Sequence, residues 1–435
     1  MADLIKNIFA RQVLDSRGNP TIFTRVETES NFIGTSVVPS GASTGAREAL
    51  ELRDLDFNIY QGKSVHKAIK NIMNILGPLI IGKDINSQSE IDSSMIEKDG
   101  TESKSSIGAN AILGVSMAVA RAAANSKNIE LFEYIRSIHS PSNRIYLLPN
   151  PMLNVLNGGS HAFNSTDFQE FMIVPYGISN FEDSMLCGFQ IYNELKKILE
   201  RKNYPTTLGD EGGFAPAGLT NTDPLDLLTE ATNKTDFKLG ADVKFALDVA
   251  ASEFYKDNLY ELKSEERTVT SDELIKIYKD LSDKYPIYSI EDGLSEDDWD
   301  GWKKMTTELG NKLQLVGDDL YVTQKKFLNK GISEKSGNSI LIKLNQVGTV
   351  SETIETIQIA QDNNFETIIS HRSGETEDTF IADLAVGTNS SQIKSGAPAR
   401  GERVNKYNRL LLIGDVLKNK HQGENINHAT ARLGR

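Results

Sequence analysis

Four apolar runs in the second half of the chain each end on a side chain that can grip a cation or move a proton. They are KFALDVA with Asp248, YSIEDG with Glu291, LQLVGDD with Asp318 and ILIKLNQ with Lys343. Short apolar runs of this kind read as buried strands, and stretches of helical periodicity separate them. Parallel strands alternating with helices predict a (β/α) barrel, whose strands all open at their C-terminal ends on one face. Acids gathered on that face repel one another unless a divalent cation holds them. The pattern therefore predicts a metal-assisted enzyme with a lysine beside the metal. Such a site can take a proton from the carbon next to a carboxylate.

The alternation repeats six times from Val243 onward, with strands ending near Asp248, Asp292, Asp319, Asn345, Arg372 and Gly396. Amphipathic stretches such as DELIKIYKDLSDKY, SETIETIQIAQDNN and RVNKYNRLLLIGDVL lie between or after them. A barrel needs two more strands, and these fall to VLNGGSHA and DFQEFMIVP, where the pattern is irregular. The first part of the chain reads differently. TIFTRVET and NFIGTSVV flank a polar turn at Glu29–Asn31 and predict a hairpin. In SVHKAIKNIMNILGP, Val65, Ile69, Ile72, Met73 and Leu76 form one helical stripe, read as capped by Ser64 and stopped by Gly77-Pro78. Ile107 to Ala124 is apolar nearly all round and predicts a buried helix. Strands followed by helices indicate a small α+β domain. The Pro/Ser/Asn-rich segment HSPSNRIYLLPNP sets the boundary, giving residues 1–140 as an N-terminal α+β capping domain and 141–435 as the barrel that carries the site.

A net charge of −13 over 435 residues argues against a broad nucleic-acid or anionic-membrane surface. It also means that an anionic substrate needs basic residues gathered locally. The single cysteine, Cys187, sits in the apolar stretch SMLCGFQIY and reads as a buried structural thiol, consistent with a cytosolic protein. No apolar signal core opens the chain and no run approaches the roughly 20 residues of a membrane span.

Singly, each strand-end acid is better read as a cap for the following helix. Three in register, without a nearby Cys or His pair, turn the reading toward a hard ion, Mg²⁺ or Mn²⁺. Lys343 lies between Ile342 and Leu344 and faces opposite to both, so it points into the barrel unless it snorkels from a strand end. Burial and nearby cations are expected to depress its pKa and make it a base. The next two units supply Arg372, Ser373 and Lys394, expected to form a basic pocket for a phosphate or carboxylate. The plainer alternative pairs Arg372 and Lys394 with Glu375 or Glu377 on the surface. LGDEGGFAP presents Glu211 on a glycine-rich bend, and HAFNSTDFQEFM offers His161, Gln169 and Glu170. PSGASTGAREA lacks the lysine of a nucleotide-binding loop and reads as a mobile loop or as a lid over the barrel mouth.

The segments DSRGNPT, SGASTG, NVLNGGSHA, QEFMIVP, GDEGGFAP, ALDVAASEF, SIEDG, VGDDLYVT, IKLNQVGT, SHRSGETEDT and IKSGAPARGER run in order through both halves. With them the chain resembles the enolase family from end to end, and Gly293 in SIEDG resembles its bacterial-type members. The resemblance implies reversible dehydration of 2-phosphoglycerate to phosphoenolpyruvate, a glycolytic hydro-lyase reaction, with two Mg²⁺ ions per active site. Asp248, Glu291 and Asp318 match ligands of the tightly held ion, and Ser43 matches a ligand of the second. Lys343 corresponds to the base at C2 and Glu211 to the acid at C3. Gln169, Arg372, Ser373 and Lys394 match substrate-binding positions, with His161, Glu170 and His371 as supporting groups. The resemblance also implies an atypical barrel, ββαα(βα)₆ with its second strand antiparallel, and a homo-oligomer, either a dimer or an octamer. Some family members appear on cell surfaces, bind host proteins, or join RNA-decay assemblies without an export signal. An acid-sugar dehydratase of the same superfamily and a non-catalytic adhesion role are the competing readings.

Overall fold

The structure is a computed structural model describing residues 2–41, 45–140, 142, 143 and 145–420, with the backbone of 421 and 426–428. The N-terminal sheet is a meander of β1 (Ile5–Leu14), β2 (Pro20–Thr28) and β3 (Ile33–Val37), all antiparallel. Against it lie α1 (His66–Asn71), α2 (Gly77–Ile80), α3 (Gln88–Asp99), α4 (Ala109–Ser126) and α5 (Leu131–His139). The hairpin and the buried α4 are as the sequence predicts. Helix α4 packs so closely on the sheet that a Cβ at Gly34 would sit 2.0 Å from the Ala118 carbonyl oxygen. The stripe from Val65 behaves otherwise at both ends. Its first amides, those of His66 and Lys67, are held by the Asp54 carboxylate rather than by Ser64. Gly77-Pro78 does not stop it, because Ile72–Leu76 forms a wider π turn and the chain continues helically through α2. The wider turn gives the proline ring room next to carbonyls that a regular α-helix would push against it.

Then β4 (Tyr146–Leu148) precedes the barrel strands β5 (Asn150–Asn157) and β6 (Glu170–Val174), helices α6 (Phe181–Arg201) and α7 (Asp223–Thr232), and strand β7 (Lys244–Asp248). A small meander, β8 (Tyr255–Lys256), β9 (Leu259–Leu262) and β10 (Arg267–Val269), stands outside the barrel. The regular units follow as α8 (Ser271–Lys284), β11 (Ile287–Glu291), α9 (Trp299–Leu309), β12 (Gln314–Gly317), α10 (Lys325–Glu334) and β13 (Ser339–Ile342). The last are the short α11 (Leu344–Val347), α12 (Val350–Asp362), β14 (Glu366–Ser370), α13 (Phe380–Thr388), β15 (Gln392–Lys394) and α14 (Gly401–His421). A final strand, β16 (Ile426–His428), pairs in parallel with β4. Eight strands close in the order β11-β12-β13-β14-β15-β5-β6-β7. Strand β6 runs antiparallel to both neighbours and the other pairs are parallel, so the barrel is the expected ββαα(βα)₆ variant. Among the described residues no helix is long and apolar enough to cross a membrane.

Successive side chains on a strand point to opposite faces, so barrel interior and outer layer alternate with a period of two. Met152, Met172, Val174, Ala246, Val316, Leu341 and Ile368 form a separate apolar plug inside the barrel. Residues an even number of steps from these share their face. That parity decides what stands at the mouth.

Candidate active site

Asp248 lies two residues beyond Ala246, Asp318 two beyond Val316, Lys343 two beyond Leu341 and Glu170 two before Met172. Arg372 is four beyond Ile368, with Ser370 between. Each of these strands thus places an apolar side chain inside the barrel and a polar one at the mouth, the antiparallel β6 doing so with its first residue. These residues converge on a cavity that His161, Gln169, Glu211, His371, Ser373 and Lys394 also line. Apart from Ser43, which lies outside the described residues, and Glu291, whose carboxylate meets Lys394 beside the cavity, every predicted site residue lines it.

The charges are arranged differently from the expectation. Lys394 is not grouped with Arg372 in a basic pocket. Its Nζ sits among carboxylates, 2.7 Å from Asp248 Oδ2, 2.9 Å from Glu291 Oε2 and 3.2 Å from Glu170 Oε2. Asp318 instead pairs with Lys343, whose Nζ donates to Asp318 Oδ2. Asp248 and Glu291 therefore share one ammonium while Asp318 takes another. Among the described residues, the triads whose ligand atoms lie within 4.8 Å of one another are His161–Glu170–Glu211 and Asp292–Asp318–Asp319. The trio Asp248, Glu291 and Asp318 is not one of them. The lysine pKa also departs from expectation. Burial works most strongly to lower that of Lys343, but the surrounding carboxylates, Asp318 foremost and Glu291 with it, together hold it above the ordinary lysine value. Lys394 is held well above it too, burial being overcome by Asp248, Glu170 and Glu291.

Around the cavity stand seven carboxylates, Glu170, Glu211, Asp248, Glu253, Asp292, Asp318 and Asp319, against the cations Lys343, Arg372 and Lys394. Burial and the neighbouring Asp248 raise Glu291 well above the usual carboxylate range, and burial with Asp318 pushes Asp319 up to about 8. Such a surplus of oxygen donors, most of them buried, fits a hard divalent cation. Asp292 has a fixed duty within it. Its two oxygens accept the backbone N–H groups of Asp318 and Asp319 at 2.9 and 2.8 Å and so set the turn after β12.

Across the cavity, Glu211 Oε2 lies 3.3 Å from His371 Nε2 and Glu211 accepts from Asn154 Nδ2 at 3.1 Å. The bend that presents Glu211 requires Gly212, which has φ +86° and would drive a Cβ to 2.8 Å from the Ala399 carbonyl oxygen. Arg403, fully buried, meets His371 Nδ1 at 2.8 Å and donates to the carbonyls of Arg372 and Ser373. A guanidinium only donates, so the proton of His371 resides on Nε2, facing Glu211. Burial, with Arg403, lowers His371 to about 4 and keeps it neutral. Burial alone would raise Glu211, but His371, His161 and Arg403 hold it well below its usual value. Neighbouring Glu170 is held well above its own, by burial and by the charge of Glu211. His161, with Nδ1 3.8 Å from Glu170 Oε1, borders the same pair.

The N-terminal half also contributes. Arg372 does not pair with Glu375 or Glu377 on the surface; it is buried, and Glu48 grips its guanidinium at 2.9 and 3.1 Å. Asn345 accepts from the same Arg372 Nη1 at 2.8 Å. Glu48 and Arg403 carry no signal in the sequence beyond lying in segments already singled out, and Asp292 and Asn345 are marked there only as strand ends. Glu48 belongs to the segment PSGASTGAREA, which reads as a mobile loop or a lid through its glycines and serines and not through its acid.

Two family models match this chain in succession. One, described as the enolase N-terminal domain, matches residues 5–135, and the other, the enolase C-terminal TIM barrel domain, matches residues 145–430. The two models together account for nearly all the described sequence, and the barrel they imply has the carboxylate-and-lysine mouth just described. The chain belongs to the enolase family, and it is a lyase of the enolase-superfamily dehydratase class whose chemistry uses a divalent metal.

Proposed function

We propose that the protein catalyses the reversible, Mg²⁺-dependent dehydration of 2-phospho-D-glycerate to phosphoenolpyruvate. One cavity lined both by Lys343 and by the Glu211–His371 pair supports this reading most directly. Losing a proton and a hydroxide from adjacent carbons needs a base and an acid in one enclosed space. Asp248, Glu291 and Asp318 are the proposed Mg²⁺ ligands, with Ser43 serving a second ion. When bound, magnesium supplies Lewis-acid stabilisation of the negative charge that collects on the substrate carboxylate. Lys343 accepts the C2 proton at Nζ, which requires it first to give up its contact with Asp318 and to release the proton that this contact retains. Glu211 delivers a proton to the departing C3 oxygen. The neighbouring Glu170, raised well above the usual carboxylate range by burial and by the charge of Glu211, is the proposed source of that proton within the triad that includes His161. Arg372 and Ser373 bind the phosphate, with Gln169 and Lys394 completing the substrate's polar contacts. Residues 1–140 and 141–435 are proposed as the two domains, and the protein is proposed to act as a homo-oligomer.

Proton exchange at C2 tests these roles separately. Lys343→Ala should abolish exchange, whereas Glu211→Gln should retain it while dehydration falls by roughly 10²–10⁴-fold. Normal exchange in Lys343→Ala would remove the lysine from the mechanism. EDTA should stop turnover from phosphoenolpyruvate, and preference for an unphosphorylated sugar acid would favour the superfamily alternative.

A further inference from the structure

Gln346 is fully buried one turn after Lys343, on the short helix α11, and its carboxamide has three partners, Asp318 and Thr323 in the segment between β12 and α10 and Glu48 from the N-terminal half. Its Nε2 donates to Asp318 Oδ1 at 2.8 Å and approaches Glu48 Oε1 at 3.4 Å. Its Oε1 accepts from the Thr323 hydroxyl at 2.8 Å, and Thr323 is also fully buried. The Thr323 hydroxyl fixes which end of the amide faces Asp318, because a hydroxyl proton spent on Oε1 leaves the NH₂ for the carboxylates. The same Oγ1 accepts the backbone N–H of Lys343 at 2.9 Å. The backbone of Gln346 is tied at both ends as well, its N–H donating to the Lys343 carbonyl and its carbonyl accepting from Ala49. One side chain therefore touches the carboxylate that holds the lysine, the hydroxyl that holds the lysine backbone, and the N-terminal segment that holds Arg372.

We propose that Gln346 is a positioning residue: it holds Asp318 Oδ1 so that the other carboxylate oxygen is directed into the cavity, and so sets both metal affinity and the release of Lys343. The proposal rests on the hydratase reading above and deepens it. A neutral amide suits the position, since it donates to two carboxylates without adding a charge that would compete for the cation. Gln346 does not line the cavity, so it acts through Asp318 and not on the substrate.

The test uses the full-length protein and Mg²⁺ itself. Gln346→Leu removes the donor while keeping the site filled, and Mg²⁺ affinity by calorimetry should fall about tenfold, the lower end expected for losing a hydrogen bond to a charged group. C2 proton exchange should fall with it, while KM for 2-phosphoglycerate at saturating Mg²⁺ should stay within about twofold, the pattern of a group felt in the transition state rather than in binding. Gln346→Met, similar in length and also without a donor, should behave the same and serves if the leucine variant folds poorly. A space-filling role would leave Mg²⁺ affinity unmoved in both. Wild-type Mg²⁺ affinity and exchange rate in a well-folded variant overturn the proposal. Wild-type protein without Mg²⁺-dependent turnover would instead overturn the hydratase reading, and the positioning role with it.

Discussion

Lys394 illustrates how much one ammonium can carry. It is the shared cation of three buried carboxyl groups, and removing it leaves Asp248, Glu291 and Glu170 without a counter-charge in a poorly solvated space. Lys394→Met should therefore lower stability by about 3–5 kcal/mol in EDTA, the usual consequence of stranding a buried charge. Magnesium should recover part of that loss, because a bound cation stabilises the folded form by mass action and replaces the missing charge. Urea midpoints with EDTA and with Mg²⁺ check this, and an equal deficit under both conditions would count against a metal at these carboxylates. Most of the site was legible at this scale because strand parity is legible. Asp248, Asp318, Lys343 and Arg372 fall in phase with Ala246, Val316, Leu341 and Ile368, and alternation alone directs them inward. Who pairs with whom was not. Lys394 with the acids and Glu48 with Arg372 depend on which strand ends meet across the mouth, and no local periodicity encodes that.

Elements were read well where a pattern repeats and poorly where a partner lies elsewhere in the chain. The six regular units, the hairpin and α4 each carry their own periodicity. The start of α1 does not. Ser64 has the right chemistry for a cap and the right place, yet its hydroxyl turns to the Ile59 carbonyl while Asp54, a dozen residues earlier, accepts both leading amides. Asp54→Ala should accordingly cost about 1 kcal/mol, the typical loss for a helix cap, and Ser64→Ala distinctly less. Urea midpoints of the two variants at unchanged m-value decide it, and the reverse order would restore the local reading. The irregular stretch before residue 210 has a similar explanation. An antiparallel β6 needs no helix between β5 and itself, so the alternation that marks a barrel is missing there.

The molecule as a whole is held together where helix ends of one half meet side chains of the other. Asp92 accepts from the backbone N–H and hydroxyl of Ser351 at 3.0 and 2.6 Å, and Ser116 accepts from the Val350 N–H, so the start of α12 is capped from the N-terminal domain. Arg136 donates to the carbonyls of Gly387 and Val386 at the end of α13, and Arg409 joins Asp383 to Glu130. His139 closes α5 in the same region, at a cleft bordered by Ser87, Glu90, Ser351, Ile354 and Ile359. Both of its ring nitrogens are buried, and neither has a hydrogen-bond partner among the described residues. Burial, reinforced by Arg136 and opposed by Asp362, lowers its pKa to about 4. In the unfolded chain the same imidazole titrates near 6.5. Between those values the unfolded state binds a proton that the folded state refuses, so folding stability falls as pH drops from about 6.5 toward 4. His139→Gln removes this titration, while the acid sensitivity of every other group is common to both proteins and cancels in the difference. Relative to the variant, wild type should therefore lose stability between pH 7.5 and pH 5, read as a shift in the gap between their urea midpoints. A gap that stays constant across that range would mean that His139 is hydrated and free to charge in the folded protein.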